Sequence, residues 1–124
     1  MLSDTLQRIL NMMKNKFDIS DATLEKIIIY ISTKNKGTYV YPEVLEEKFG
    51  LDMNKSFKIC VFLEKRSLLK RVYKLYCPNC QEIGDEMFDS FNEIEDYGYC
   101  EICGKNLIDE KNPYKYIFIY FKVI

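Results

Sequence analysis

Two Cys-x-x-Cys pairs constrain this chain more than any other feature of its sequence. Cys77 and Cys80 form the first pair, Cys100 and Cys103 form the second, and nineteen residues separate the pairs. A two-residue spacer lets both sulfurs of a tight turn face one point, so four thiolates at this spacing can close a tetrahedral site. The pattern therefore predicts a structural Zn²⁺ ion with four cysteine ligands, and such a site has no open position for water or substrate.

Two other interpretations of the paired cysteines stay open, each with a weakness. A thioredoxin-like dithiol needs a single pair in an α/β context, and an iron–sulfur cluster usually has less symmetric spacing. Gly104 follows the second pair and suits the left-handed backbone of such turns, whereas Gln81 stands at the equivalent place after the first. The fifth cysteine, Cys60, lies in an apolar run, and we expect it to be a small buried side chain.

The composition argues against catalysis. The 124-residue chain has no histidine, which removes the Ser-His, Cys-His and His-metal mechanisms. We therefore expect a non-enzymatic protein of one or two small domains. The enzymatic alternative is a small nuclease or hydrolase that uses Asp85, Glu86 and Asp89 with a second metal, but acidic clusters on surfaces usually serve solvation.

The sequence also indicates a cellular compartment. It shows neither the pattern of a secretion signal nor an apolar run of the length of a membrane span. We expect a cytoplasmic protein with no membrane partner. In that reducing compartment, paired cysteines are metal ligands more often than disulfides.

Charge is distributed very unevenly along the chain. The formal net charge of −1 combines 0 for residues 1–33, +5 for 34–76, −9 for 77–110 and +3 for 111–124. Four thiolates around one Zn²⁺ would make the third segment more negative still. We therefore expect the basic and acidic segments to prefer different partners.

Periodicity and capping residues predict the secondary structure of the first part of the chain. Pro42 suits the start of a helix, and Gly50 suits its end. The predicted elements are a helix over 4–16 capped by Ser3, a helix over about 22–33, a short strand over 38–40, a helix over 42–49, a helix from Asp52 or Asn54 to about 66, and a strand over 70–76.

The order of these elements from Ala22 to Tyr76 is that of a winged helix-turn-helix domain. Followed by a four-cysteine pattern, it resembles the amino-terminal half of the general transcription factor E alpha subunit. This resemblance implies a winged helix, a zinc ribbon and a nucleic-acid-linked role in transcription regulation. The chain departs from that family in being short, in having only nineteen residues between the pairs and in ending on an apolar strand.

The predicted fold class is α+β: a winged helix-turn-helix with a four-cysteine zinc ribbon and a long C-terminal β-strand. We divide the chain into a helical, winged-helix domain over 1–76, a zinc ribbon over 77–110 and the strand within 111–124. This strand, Tyr114 to Ile124, is apolar on both faces and needs neighbours. We expect it to return beside 70–76 with the ribbon at the wing tip, and the alternatives are pairing within the ribbon or with a second protomer or partner.

The acidic stretch from Asp85 to Ile94 allows three interpretations. Its apolar residues have helical spacing, which predicts a short helix over the metal site. The stretch is also suited to be an acidic, apolar patch for a basic protein partner. The third interpretation is a hairpin whose returning strand runs from Tyr97 to Tyr99.

A basic face is predicted on the helix that begins near Asn54 and on the following strand. Apart from Asn54 and Ser56, this helix lacks amide and hydroxyl side chains, which favours phosphate contact over base readout. A merely solvated charged face is the alternative. The candidate nucleic-acid-binding residues are Lys55, Lys58, Lys65, Arg66, Lys70, Arg71 and Lys74.

Two functions follow from these expectations. The first is a zinc-binding regulator that contacts double-stranded DNA through the basic residues and a protein through the acidic ribbon, since a duplex would repel the ribbon. The second is a protein–protein adaptor, or small subunit of a larger assembly, without direct DNA binding. A homodimer formed through the C-terminal strand is compatible with either.

Overall fold

A computed structural model describes residues 3–124 of the chain, except for the side chains of residues 95–97. The protein is mixed α+β, with 42% helix and 19% strand. It divides into two compact units: unit 1 is Met1–Leu69 with Val123–Ile124, and unit 2 is Lys70–Lys122. The division into segments 1–76, 77–110 and 111–124 stays a prediction. Within the described residues, no helix combines the length and apolar character needed to cross a membrane.

Unit 1 begins with helices whose bounds are set by local capping. The Ser3 hydroxyl accepts a hydrogen bond from the Leu6 amide at 3.2 Å, and the Asp52 carboxylate accepts one from the Lys55 amide at 2.7 Å. Gly50 ends a helix in the left-handed region, with φ of 68°. The elements are α1 (Asp4–Lys16), α2 (Asp21–Ser32), β1 (Tyr39–Val40), α3 (Pro42–Phe49) and α4 (Met53–Lys65).

The core of unit 1 is aliphatic and includes one cysteine. Cys60 is fully buried, as predicted. Burial, with a smaller effect from Glu43, raises the pKa of its thiol to about 12. Each buried aliphatic side chain stabilises the fold by about 1.5–3 kcal/mol. The fully buried apolar side chains of α1 to α4 include Leu10, Met13, Leu24, Ile27, Ile28, Leu45, Ile59, Cys60 and Leu63.

The remaining elements are β2 (Leu69–Cys77), β3 (Glu82–Ile83), α5 (Phe91–Tyr97) and β4 (Ile117–Val123), and the strand order in the sheet is β1-β4-β2-β3. In unit 1, the Val123 amide donates to the Thr38 carbonyl at 2.8 Å. The Ile124 amide of the same unit donates to Leu68 at 3.2 Å. In unit 2, the Tyr76 amide donates to the Tyr116 carbonyl at 2.8 Å. The end of β4 thus lies beside the start of β2, and the residue before β4 lies beside the end of β2. This is the arrangement of an antiparallel pair.

Besides β1, which begins one residue late at Tyr39, two predicted elements begin several residues later than expected. The last strand begins at Ile117 rather than Tyr114, because the Tyr114 amide donates to the Asn112 side chain in a turn. The predicted helix over 85–94 is wrong in its bounds. The Ser90 hydroxyl caps α5 by accepting a hydrogen bond from the Glu93 amide, and the Glu93 carboxylate accepts one from the amide of Asp89, the residue before the cap.

The residues before α5 have a different structure. Phe88 pairs with Tyr73 of β2, and their amides and carbonyls exchange hydrogen bonds of 2.9 and 2.8 Å. The alternative hairpin is also wrong, since α5 includes Tyr97. Tyr99 forms an antiparallel bridge with Asn106.

Candidate metal centre

The first cysteine pair lies in the turn between β2 and β3. Antiparallel pairing of Cys77 with Glu82 places the intervening residues in a tight loop. Within this loop the Cys80 amide lies 3.4 Å from the Cys77 sulfur and donates to it. Gln81 follows with φ of 55°, in the left-handed region that most side chains avoid. The loop thus directs both sulfurs to one side at the cost of strain at Gln81.

The second pair lies in a similar turn beyond the bridge between Tyr99 and Asn106. The Cys100 amide donates to the Lys105 carbonyl at 2.9 Å, and the Gly104 amide donates to the Cys100 carbonyl at 2.8 Å. Gly104 has φ of 74°, so glycine occupies the position equivalent to Gln81. The two pairs therefore have the same local design, as their equal spacing predicts.

The four sulfurs converge on one point. The sulfur of Cys77 lies 3.5 Å from that of Cys103, and the sulfur of Cys80 lies 3.8 Å from that of Cys100. All four lie within 4.8 Å of one another. When four sulfur atoms surround a metal ion in tetrahedral geometry with metal–sulfur bonds of about 2.3 Å, the sulfurs lie about 3.8 Å apart. The four cysteines therefore fit a metal ion and could hold one.

The four thiols differ in their surroundings, and these shift the pKa values of two of them in opposite directions. Backbone N–H groups of Cys103 and Ile102 donate to the Cys100 sulfur and lower its pKa to about 7. The hydrogen bond with the Cys103 side chain, followed by burial, raises the pKa of Cys80 to about 12. A metal ion bound at this point would favour the thiolate form of all four cysteines.

The cluster is buried on one side only. Cys77 and Cys100 are buried, Cys80 is half-buried and Cys103 is exposed. The buried sulfurs pack on a small apolar core, whose other members are Leu75, Phe88, Ile94 and Leu107. The backbone at Gly98 is tight, because a β-carbon there would lie 2.7 Å from the Ile108 Cδ1 atom.

A cavity of about 420 Å³ lies beside the cysteines within unit 2. Among the side chains that the structure describes, four carboxylates line it, from Glu82, Asp85, Glu86 and Glu101. The acidic, apolar character of residues 85–94 is evident from the sequence, but the cavity is not, because its walls also come from both hairpins. Apolar lining residues are Leu75, Ile83, Phe88, Tyr99, Ile102 and Leu107.

The candidate nucleic-acid-binding residues are divided between the units. In unit 1, Lys55, Lys58, Lys65 and Arg66 are exposed. In unit 2, Lys70 is exposed, whereas Arg71 and Lys74 are half-buried.

The helix face that carries the unit 1 cations also carries Phe62, which is buried. Phe17 contacts its ring edge-on with centroids 5.6 Å apart, and the Arg66 guanidinium lies 4.6 Å from its centre. Ser56 is fully buried, so Asn54 is left as the exposed amide near the start of α4.

The acidic residues considered for a second metal site are not alike. Asp89 forms an ion pair with Lys122 at 2.8 Å, and that hydrogen bond lowers the pKa of its carboxyl. Asp85 and Glu86 are exposed. Over the described part of the chain, the four cysteines form the group of side chains close enough to hold a metal, and these acids do not form a second one.

Fold and site together define a small α+β protein with a four-cysteine cluster that could hold a metal ion. Comparison of the chain with protein-family models, curated proteins and solved structures finds no match.

Proposed function

We propose that the protein is a non-enzymatic, zinc-binding regulator of the winged-helix class that contacts nucleic acid through unit 1 and protein through its acidic segment. The observation that carries the zinc assignment is the convergence of four sulfurs at separations of 3.5 and 3.8 Å. Four cysteine ligands complete the tetrahedral shell that Zn²⁺ prefers. The metal then supplies stability to the two hairpins and has no vacant position for a substrate.

The winged-helix assignment is supported by the order of elements. A helix, a short strand, two helices and a strand follow one another from α2 to β2, and β4 is the next strand in sequence to join the sheet after the hairpin. Immediately before β1, the Thr38 carbonyl accepts a hydrogen bond from the Val123 amide of unit 1, as expected near a short first strand in a winged helix. In this assignment α4 is the recognition helix.

Phosphate contact is the mode of nucleic-acid binding that the exposed residues favour. Lys55, Lys58 and Lys65 project from one side of α4, and Arg66 follows at its end. With Ser56 buried, the helix has little to offer a base edge. The affinity then depends little on the DNA sequence and strongly on the salt concentration.

Fluorescence anisotropy with a labelled 20-base-pair duplex tests this function. Replacing Lys55, Lys58 and Lys65 with Glu should weaken binding at low salt by more than tenfold and reduce the salt slope by about one per lost phosphate contact.

The matched control replaces Arg8, Lys14 and Lys26 with Glu, because these cations lie on α1 and α2 and the change in net charge is the same. The control should lose less affinity than the α4 variant. Absence of duplex binding by the unchanged protein, or equal loss in both variants, would refute the nucleic-acid role.

A protein–protein adaptor is the second candidate, and exposed aromatic side chains favour it. Phe118 of β4 is 41% exposed and stacks on Tyr120 with ring centroids 6.4 Å apart, and Tyr114 is 52% exposed. Sedimentation velocity on the unchanged protein and on Phe118→Ser tests for a homodimer through this strand. A dimer that Phe118→Ser dissociates would favour the adaptor, and a monomer at all concentrations would count against self-association.

A further inference from the structure

The cavity beside the cysteines has a composition that is unusual for a solvated surface. Its apolar side chains are not confined to the interior: Ile83 is 43% exposed, Tyr99 52% and Ile102 72%. Ile83 lies on β3, which is the last strand in the sheet order. Its volume, about 420 Å³, lies within the range of about 300–1,000 Å³ that is typical of binding pockets.

The charge at this cavity has one sign. No lysine or arginine lines it, and its four carboxylates, from Glu82, Asp85, Glu86 and Glu101, form no ion pair with any residue that the structure describes. Three of the four cysteines also line it. A zinc ion held by four thiolates would add two further negative charges to this wall.

These observations restrict the chemistry of an occupant. Nucleic acid is excluded because its phosphates would face four carboxylates. A purely apolar partner would desolvate those carboxylates without pairing them, which is costly. A purely cationic ligand would leave the exposed Ile83, Tyr99 and Ile102 side chains in water. An occupant that satisfies both features carries an apolar side chain flanked by cations.

We propose that this cavity binds a basic peptide segment of a protein partner, with one Leu, Ile, Phe or Trp side chain inside it and Lys or Arg residues against its carboxylates. The proposal rests on the proposed function, since it specifies the partner of the acidic segment. The apolar contact and the carboxylates both contribute affinity, and the carboxylates also supply steering and discrimination against acidic segments.

Selection from a random 12-residue peptide phage library on the immobilised, zinc-loaded protein tests this proposal. Enriched sequences should carry at least three Lys or Arg residues around a large apolar residue. The best peptide, labelled with fluorescein, is then titrated by anisotropy against the unchanged protein and its variants.

Two variants address the two features of the cavity. Replacing Glu82, Asp85 and Glu86 with their amides should weaken peptide binding by about tenfold. The matched control makes two Glu→Gln changes and one Asp→Asn change in unit 1, at Glu46, Glu47 and Asp18, and should bind as the unchanged protein does.

The apolar variant replaces Ile83 and Ile102 with Ala and should weaken binding by about fivefold or more. Its control, Ile29→Ala with Ile124→Ala, removes side chains that are 43% and 47% exposed in unit 1. Loss in the cavity variants alone supports the proposal. No enrichment, enriched peptides without positive charge, or unchanged binding to both cavity variants would overturn it. Zinc content and duplex binding of the same preparation report separately on the proposed function.

Discussion

Replacement of Cys103 by Ser separates metal coordination from packing better than any other ligand change. Cys103 is exposed, whereas Cys77 and Cys100 belong to the apolar core. Exchanging sulfur for oxygen at Cys103 therefore removes little buried surface. Structural zinc contributes about 10–16 kcal/mol in small domains at pH 7, or roughly 2.5–4 kcal/mol per ligand when shared among four. The variant should bind zinc about two to three orders of magnitude more weakly.

Competition with a chromophoric zinc chelator of known affinity measures this loss. Hydrogen exchange measured in parallel should show that chelation opens the two hairpins of unit 2 while α1 to α4 stay protected. Cys60→Ala is the matched control: it removes a thiol from the core of unit 1 and leaves all four ligands in place. Its zinc affinity should therefore be unchanged although the free energy of unfolding of unit 1 falls.

A zinc dissociation constant of Cys103→Ser within threefold of the unchanged protein would refute this reasoning. The reasoning would equally be refuted if the purified protein carried no metal, had four reactive thiols at these positions and kept the same melting temperature when zinc was added.

Three further predictions concern stability. Gly98→Ala should destabilise unit 2 by about 1–3 kcal/mol in chemical denaturation, because its β-carbon would overlap the Ile108 side chain. Gln81→Gly should stabilise zinc-loaded unit 2 by up to about 1 kcal/mol, because Gln81 has φ of 55°. Burial raises the pKa of the Cys60 thiol from 9.0 to about 12. The contribution of the protonated thiol to stability is therefore complete below pH 9. It is lost as the pH rises from 9 towards 12. Over that range the free energy of unfolding should fall by up to about 1.4 kcal/mol per pH unit more than in Cys60→Ala.

Controls for these predictions come from the same chain. Gly104→Ala has space for a β-carbon and tests backbone strain alone, since its φ is 74°. Equal stability of Gly98→Ala and the unchanged protein would show that Ile108 moves aside without cost. A destabilised Gln81→Gly would mean that the Gln81 side chain contributes more than its backbone strain costs. Parallel pH profiles for the unchanged protein and Cys60→Ala would contradict the assigned burial effect.

Local signals account for the elements that the sequence predicted well. The bounds of α1 and α3 agree with the prediction, because a serine cap in one case, and a proline and a left-handed glycine in the other, act within a few residues of each helix end. The run Ile27–Ile31, which also suits a strand, is helical because it lies within the capped segment of α2. The cysteine cluster was predictable for the same reason, since each pair needs only its own tight turn.

The acidic segment was predicted less well because its structure depends on distant residues. Met87, Phe88, Phe91 and Ile94 have helical spacing, yet Phe88 exchanges two hydrogen bonds with β2 and the helix begins only after Ser90. No local pattern specifies that pairing. The cavity depends on it as well, since Phe88 lines the cavity together with residues of both hairpins.

The closure of unit 1 by Val123 has a consequence for synthesis on the ribosome. The Gly37 amide donates to the Val123 carbonyl, the Val123 amide donates to the Thr38 carbonyl, and the Ile124 amide donates to the Leu68 carbonyl. All of unit 2 is translated between Leu69 and Val123. While the nascent chain still lacks Val123, β1 has no strand to pair with, although the helices before it are already complete. Translation of the metal-binding cysteines thus precedes the last step in folding the helical unit, and a fragment ending at Leu69 would lack that step altogether.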